Sequence, residues 1–271
     1  MRHMENASSN VGLHICRQLS SPSWQHVLVT QGLTDDCYVS SRTKERGYTI
    51  PLQLAPSPGE LGIGASTSNC DLKPFKEALP ECQGDVNTEN SFRYVYAVLF
   101  SPTYRIRYVD FLMRDFPYVP LPRSSELFHA LGGVGGSLMA LHLMRSPMLD
   151  KLITTYDGPK NPEVGRVGWS KDTVWLDAAA TKKGQSITSG SIGFRGVPRS
   201  VWNFEIGGYQ VCEKWLKGRK GRRLVKDDLA NYQRIIVALN ETIRLMAEID
   251  EVIERHGGWP GAFQVAKGKG S

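Results

Sequence analysis

Apolar and polar positions alternate along the chain in blocks that predict two kinds of secondary structure. Short runs of β-branched and apolar residues at 11–16, 26–30 and 50–54 have the length and composition of strands. The stretch 55–90 is rich in Pro, Gly, Ser and Asn, and this composition predicts an exposed loop.

A helical block follows. Residues 92–100 are apolar and aromatic, and Ser101-Pro102 is a typical helix start, because serine caps and proline is tolerated at the first helical position. A further helix is predicted from 124 towards 144, with a break or kink at the glycines of 132–136. The residues expected on one face of the helix after Ser101 are Tyr104, Tyr108, Phe111 and Leu112.

From 164 to 204 the pattern returns to short strands separated by glycine turns. The strands expected there are 174–176, 192–194, 201–204 and a run around Ile187.

One long amphipathic helix then ends the chain. Asp227 and Asp228 favour its start and Gly257-Gly258 its end. Only Asp250 interrupts its apolar stripe, which packs on the chain's own core or docks on a neighbouring domain or subunit. The stripe consists of Leu229, Tyr232, Ile236, Leu239, Ile243, Met246 and Ile253. The predicted fold class is therefore α+β, in which strand-rich segments alternate with helical segments and a long helix comes last.

Charge separates the second strand-rich block from the rest of the chain. The 271 residues carry a net charge of +6, but residues 160–223 hold thirteen Lys and Arg against five Asp and Glu, a local charge of +8. We call the densest part, from Lys214 to Lys226, the basic run; Gly218 and Gly221 make a continuous helix through it unexpected. Lys and Arg neutralise phosphates and glycine allows close approach, although a solvated loop has the same composition.

Basic and aromatic residues also interleave on the strands before this run, an arrangement that can read base edges. Tryptophans in such positions serve equally well as core, which we expect for at least two of them. The candidate DNA-binding residues are Lys171, Lys182, Lys183, Arg195, Arg199, Lys217, Arg219, Lys220, Arg222 and Arg223.

Residue patterns of common reaction centres are missing from the sequence. The glycines of 132–136 lack the Lys-Ser/Thr of a P-loop, the five cysteines include no CxxC pair, and the six histidines form no HxxxH set. We therefore expect no catalytic and no metal residues. His142 is expected to be a packed or hydrogen-bonded helix histidine, and Asp71-Leu72-Lys73 leaves open a small nuclease site without an obvious partner acid.

The N-terminus lacks the apolar core of a signal peptide, and no apolar run reaches the roughly 18–20 residues of a membrane helix. We expect a soluble, cytoplasmic chain with no membrane partner.

Four groups of residues give the chain a family resemblance. The first two are residues 10–18 with 24–29, and residues 48–52. The more specific ones are FRYVYAVLFSPTYR at 92–105 with 108–112, 115–117 and 141–144, and VWNFEIGGYQV at 201–211 with 214–217 and the helix that follows. In these groups the chain resembles the C-terminal specificity, or target-recognition, region of Type ISP single-polypeptide restriction–modification enzymes.

The resemblance implies a region that reads an asymmetric site in double-stranded DNA. It implies as partner an adenine N6-methyltransferase and helicase/nuclease core, whose motifs this sequence does not contain. S-adenosylmethionine, ATP and Mg are expected only in those partner domains, and no cofactor in this chain. The chain is then a truncated tail, a separately encoded specificity piece or a remnant.

Within one specificity region, we predict two parts. Residues 1–150 hold N-terminal strands and a helical segment, and residues 151–271 hold the basic reading part and the long helix. Two alternatives stay open from the sequence: a small stand-alone nuclease, and a docking remnant that no longer reads DNA.

Overall fold

The computed structural model describes Met4 and residues 10–21, 23–40, 44–55, 67–179 and 189–264. Helices and antiparallel sheets share these residues, and a long helix lies near the C-terminal end, so the predicted α+β class is confirmed. In the described part of the chain, no helix combines the length and the apolar character that crossing a membrane requires.

The chain forms two compact units. The first consists of Met1–Leu143 with Arg244–Ser271, and the second of Met144–Ile243. The division that the sequence suggested at residue 150 stays a prediction.

An antiparallel sheet of three strands opens the first unit. Strand β1 (Gly12–Cys16) lies between β2 (Val27–Thr30) and β3 (Gly47–Pro51), and a two-residue pair, β4 (Gln53–Leu54) with β5 (Thr67–Ser68), follows. All five residues of β1 are buried. The strands predicted at 11–16, 26–30 and 50–54 are thus confirmed within a few residues.

Helices follow the strands in the first unit. Part of the stretch predicted as a loop at 55–90 is helical instead. A proline lies in the first turn of this helix, and Asp71 accepts a hydrogen bond from the Lys73 N–H just before it. Residues 56–66 of that stretch lie outside the described residues. The helices are α1 (Lys73–Ala78), a 3₁₀ turn (Pro80–Cys82), α2 (Thr88–Phe100), α3 (Pro102–Arg107), α4 (Val109–Leu112) and α5 (Ser125–His142).

The predicted serine caps are present. The Ser101 Oγ accepts from the Tyr104 N–H at 3.0 Å, and the Ser124 Oγ accepts from the Leu127 N–H at 3.3 Å. Each bond satisfies a backbone donor that the first helical turn leaves without an intrahelical partner.

The predicted kink at 132–136 is wrong, since α5 runs unbroken through these glycines. Gly135 faces α2 so closely that a Cβ on it would lie 1.9 Å from the Arg93 carbonyl oxygen. The glycine allows two helix backbones to approach each other, and the helix keeps its hydrogen bonds.

A four-stranded antiparallel sheet and three helices form the second unit. The strands of the sheet are β6 (Thr155–Asp157), β7 (Gly168–Ser170), β8 (Thr173–Trp175) and β9 (Gly193–Arg195), and their order is β6-β9-β8-β7. A separate antiparallel pair consists of β10 (Glu205–Ile206) and β11 (Tyr209–Gln210). The helices are a 3₁₀ turn (Pro147–Asp150), α6 (Arg199–Trp202), α7 (Val211–Lys217) and the first part of α8 (Lys226–Arg255).

One strand prediction in this unit is wrong. Residues 201–204 include the end of helix α6, which starts after Pro198 in extended conformation and buries Val201 and Trp202. The apolar residues in this run indicate that it is buried in the core. A run of this length does not distinguish a strand from a helical turn. The strand expected around Ile187 lies outside the described residues.

The long helix α8 confirms the clearest sequence prediction. Its apolar stripe is largely buried, and Gly257 follows it in a left-handed conformation, φ 112°. Its residues up to Ile243 belong to the second unit, where Tyr232 packs 4.7 Å from the Phe194 ring. The sequence stripe missed six further buried residues of this helix, which are Val237, Ala238, Thr242, Leu245, Ile249 and Val252.

Candidate nucleic-acid interface

The predicted basic residues of the second unit lie at two opposite ends of its four-stranded sheet. Its register pairs Thr173 with Arg195 and Trp175 with Gly193. The turn Lys171-Asp172 therefore lies at the same end as Arg195, and we call this the hairpin end. Gly193 and Trp175 lie at the opposite end, which we call the far end.

Backbone pairing brings the basic run to the far end of the sheet. The Val164 N–H donates to the Arg222 carbonyl at 3.0 Å, and the Leu224 N–H donates to the Pro162 carbonyl at 2.9 Å. Residues 162–166 also bond to the strand extension after β8, where the Ala178 N–H donates to the Arg166 carbonyl at 2.8 Å. Two segments about sixty residues apart thus meet. We call their exposed cations the basic edge: Lys160, Arg166, Lys220, Arg222 and Arg223.

No carboxylate of a described residue forms an ion pair with a cation of the basic edge. Of the nearby acids, Asp177 accepts from the backbone N–H groups of Ser191 and Ile192, and Asp228 accepts from the Val225 N–H. Glu163 lies opposite Arg223 in a β-bridge, but its exposed carboxylate forms no ion pair with a described cation. Burial by itself raises the pKa of Asp177, but its hydrogen bonds outweigh that effect and leave the pKa below the ordinary 3.8. The edge therefore keeps its positive charge available for an anion.

Two predicted candidates of the basic run already have partners in the fold. The Lys217 Nζ lies 2.9 Å from the Glu213 carboxylate one helical turn earlier. The Arg219 guanidinium lies over the Trp215 ring, 3.6 Å from its centroid, and 4.0 Å from the Asp228 carboxylate. Arg219 is half-buried and mainly packs the end of α7 against the core.

The hairpin end holds three further candidates. Arg195 forms an ion pair with Asp157, with 3.0 Å between its Nε and the carboxylate. Lys171 and Arg199 are exposed. The structure thus does not gather the candidates into one patch, because these three lie at the end of the sheet opposite the basic edge.

The ten candidates stay predictions as DNA contacts. Three of them, Lys220, Arg222 and Arg223, belong to the basic edge, while Lys182 and Lys183 lie outside the described residues. Sequence reasoning left Lys160 and Arg166 out of the candidate set. Neither residue has another Lys or Arg close by in the sequence. Only the backbone pairing of their segment with residues 221–224 brings them near other cations.

The aromatic residues among these strands serve the core. Phe194 is fully buried, Trp202 is nearly so, and the Trp169 indole N–H donates to the Val197 carbonyl at 2.9 Å. Trp175 is buried as well, and its indole N–H donates to the Ser170 hydroxyl. Stacking on bases is therefore not a role for these rings.

Other candidate chemistry in the sequence has a structural explanation. His142 Nδ1 and the Tyr96 hydroxyl share a hydrogen bond of 2.7 Å inside the first unit, as expected for a packed helix histidine. Asp71 accepts from a backbone N–H at the start of α1, and the Lys73 ammonium lies 3.8 Å from Glu77 of the same helix.

Among the described residues, Asp35, Asp36 and Cys37 lie close enough together to share one cation. The Asp35 carboxylate already accepts the Cys37 N–H at 2.8 Å. A tight turn that folds this side chain onto its own backbone accounts for the clustering.

A cavity of about 770 Å³ lies in the first unit, walled by α1, α3, α4 and the proline-rich segment after α4. Glu77 is the one charged side chain among the described residues that line it. Its walls are otherwise mainly aromatic and aliphatic, so it does not attract a polyanion. The electrostatic case for nucleic acid therefore rests on the second unit.

Known proteins share this architecture. A family model described as the Type ISP C-terminal specificity domain matches residues 1–248. A comparison with curated proteins finds no significant match. Similar solved structures include a nuclease-deletion mutant of the Type ISP restriction–modification enzyme LlaGI in complex with a DNA substrate mimic, the ATP-dependent Type ISP restriction–modification enzyme LlaBIII bound to DNA, and a DrdV–DNA complex.

The three similarities extend over almost the whole chain. With LlaGI the TM-score is 0.59 and the identity 19% over 90% of the chain; with LlaBIII the values are 0.63 and 17% over 90%. With DrdV they are 0.61 and 21% over 88%. The chain spans 18%, 16% and 24% of these solved chains, respectively. At such identities the similarity shows a shared fold.

Proposed function

This chain belongs to the Type ISP C-terminal specificity domain family, and we propose that it recognises a sequence in double-stranded DNA through its second unit. The sequence resemblance to this family is thereby confirmed. The basic edge is the observation that carries the proposal for this unit. Phosphate contacts to exposed, unpaired cations fix a protein on the duplex and leave base edges to be read by other groups.

We further propose that the chain is non-catalytic and directs an adenine N6-methyltransferase and a helicase/nuclease that belong to the same cytoplasmic system. The solved LlaGI and LlaBIII chains support this, since they are Type ISP restriction–modification enzymes of which this fold forms a small part. S-adenosylmethionine, ATP and Mg are proposed to bind those partner domains. The stand-alone nuclease is not favoured, because Asp71 and Lys73 have local partners at the start of α1.

Fluorescence anisotropy with a randomised duplex library, over a range of salt concentrations, tests the proposal. We expect selective binding whose logarithmic affinity falls linearly with the logarithm of salt concentration, by about 0.9 per phosphate contact. Binding with no salt dependence, or equal affinity for every duplex, contradicts it. Magnesium-dependent cleavage that Asp71→Ala abolishes would instead revive the nuclease.

A further inference from the structure

The hairpin of β7 and β8 ends in a turn with an unusual backbone. Lys171 and Asp172 both adopt the left-handed conformation, with φ 49° and 54°. A two-residue hairpin turn of type I′ has positive φ at both positions, and Asn-Gly or Gly-Gly satisfies that need at little cost. Here two residues with charged side chains occupy it, which suggests that their side chains matter more than ease of folding.

The tip is held rigidly by the segment after β9. The Asp172 carbonyl accepts from the N–H groups of both Gly196 and Val197 at 2.8 Å, and Thr173 Oγ1 donates to the Lys171 carbonyl at 3.2 Å. The Lys171 and Asp172 side chains are exposed, and neither forms an ion pair or hydrogen bond with a described residue. A fixed backbone thus presents one donor side chain and one acceptor side chain next to each other.

This combination differs from the basic edge, which offers cations alone. Cations neutralise phosphates whatever the sequence, whereas base edges in the major groove present both acceptors and donors. A G·C pair offers guanine O6 and N7 as acceptors and the cytosine amino group as donor. Lysine complements the first pair of atoms, and aspartate complements the second group.

On the basis of the function proposed above, we propose that the Lys171-Asp172 tip reads a G·C base pair in the major groove. Lys171 donates to guanine O6 or N7, and Asp172 accepts from the cytosine amino group. Both residues determine specificity, while the basic edge supplies affinity.

The tip and the basic edge are separate on the sheet. Arg166 lies five residues from Lys171, which is about 17 Å at roughly 3.3 Å per residue. This is about twice the 8.5 Å depth of the major groove, so the tip and the basic edge contact the duplex at separate places.

Selection from a randomised duplex library with the full chain tests the inference. We expect Asp172→Asn, which tolerates the left-handed conformation, to shift preference at one base pair from G·C towards T·A, since asparagine pairs with adenine and residue 172 faces the cytosine. Lys171→Asn should lose guanine preference at the same pair. Each change should alter relative affinity there by on the order of tenfold.

Two matched variants separate the possible causes. The double variant Lys171→Gly with Asp172→Gly keeps the turn and relieves its strain, so lost preference with an intact fold supports the side-chain role. Lys220→Gln on the basic edge should weaken binding to all sequences equally. If the tip variants bind as tightly as the parent with the same base preference, the inference is wrong while the proposed function stands. If the parent itself shows no preference, both are wrong.

Discussion

The carboxylate of Asp250, inside the long helix α8, accepts two hydrogen bonds from Thr103 at the start of α3. The Thr103 N–H lies 3.0 Å from Oδ2 and the Thr103 hydroxyl 2.6 Å, while the other carboxylate oxygen accepts from the Ser101 hydroxyl. Asp250 thus serves as a cap for a helix almost 150 residues earlier in the chain. The one polar residue in the apolar stripe of α8 is a fixed contact within the first unit.

Replacing Asp250 with leucine should destabilise the protein even though it completes the apolar stripe. The change removes three hydrogen bonds to a charged group and leaves the Thr103 N–H and two hydroxyls without this acceptor. We expect a loss of about 2–4 kcal/mol in the free energy of unfolding, measured by urea denaturation. Glu251→Leu, at an exposed neighbouring position, is the control and should change stability by less than about 0.5 kcal/mol. Equal effects of the two substitutions would show that Asp250 has no capping role.

The sequence predicted α8 and its stripe because 3.6-residue periodicity is a local property that burial imposes on a helix. The sequence could not predict the capping role of Asp250, because its partner Thr103 lies on another helix and only the fold brings the two residues together. The same limit explains the short strand wrongly predicted at 201–204. A run of four residues is too short to distinguish a strand from a helical turn. The proline before the run is compatible with either structure, so it does not settle the assignment from sequence alone.

The glycines of α5 should respond to substitution in opposite directions. A Cβ at Gly135 would collide with the Arg93 carbonyl, whereas one at Gly133 would meet nothing within 4 Å. We expect Gly135→Ala to force α2 and α5 apart and to lower the free energy of unfolding by about 2–3 kcal/mol. Gly133→Ala should raise it by up to about 1 kcal/mol, because alanine is the better helix former. Calorimetric melting of the two variants gives the comparison, and a kinked or flexible α5 would instead make their effects similar.

The candidate interface was only partly predictable for a comparable reason. A basic run is visible in any window of the sequence, so Lys220, Arg222 and Arg223 stand out. Whether a cation is free depends on pairings such as Lys217 with Glu213, and these need the helix register. The pairing of 162–164 with 221–224 is a long-range backbone contact with no sequence pattern of its own.

Mild acid should destabilise the protein partly through His142. The pKa of this histidine is lowered to about 4, chiefly because burial disfavours the charged ring and further because Arg105 lies near. Its folded pKa is thus below the 6.5 of the unfolded chain, so its contribution is complete above pH 6.5 and is lost as pH falls towards 4. We expect this loss to be about 2–3 kcal/mol at pH 4.5, less than the whole shift implies, since the pH is then still above the folded pKa of about 4.

Comparison of urea midpoints at pH 7 and pH 4.5 measures the contribution of His142. His142→Gln can still accept a hydrogen bond from Tyr96 but does not titrate, so its stability should fall less than that of the parent over this range. If His142→Gln shows the same fall as the parent, the acid sensitivity arises at other groups, such as His14 and His26, whose pKa values burial also lowers.

Cations with and without partners in the second unit should differ in their effect on DNA affinity. Arg222 belongs to the basic edge, so Arg222→Gln should reduce the slope of log affinity against log salt by about 0.9, the value for one phosphate contact. Lys217 already lies 2.9 Å from Glu213, and Lys217→Gln should change the slope much less. Both variants remove one positive charge, so net charge alone predicts equal effects. Anisotropy titrations from about 50 to 200 mM salt span the range in which such contacts are lost. Equal slopes for the two variants would mean that DNA senses only the overall charge of the unit and that the basic edge is not a contact surface.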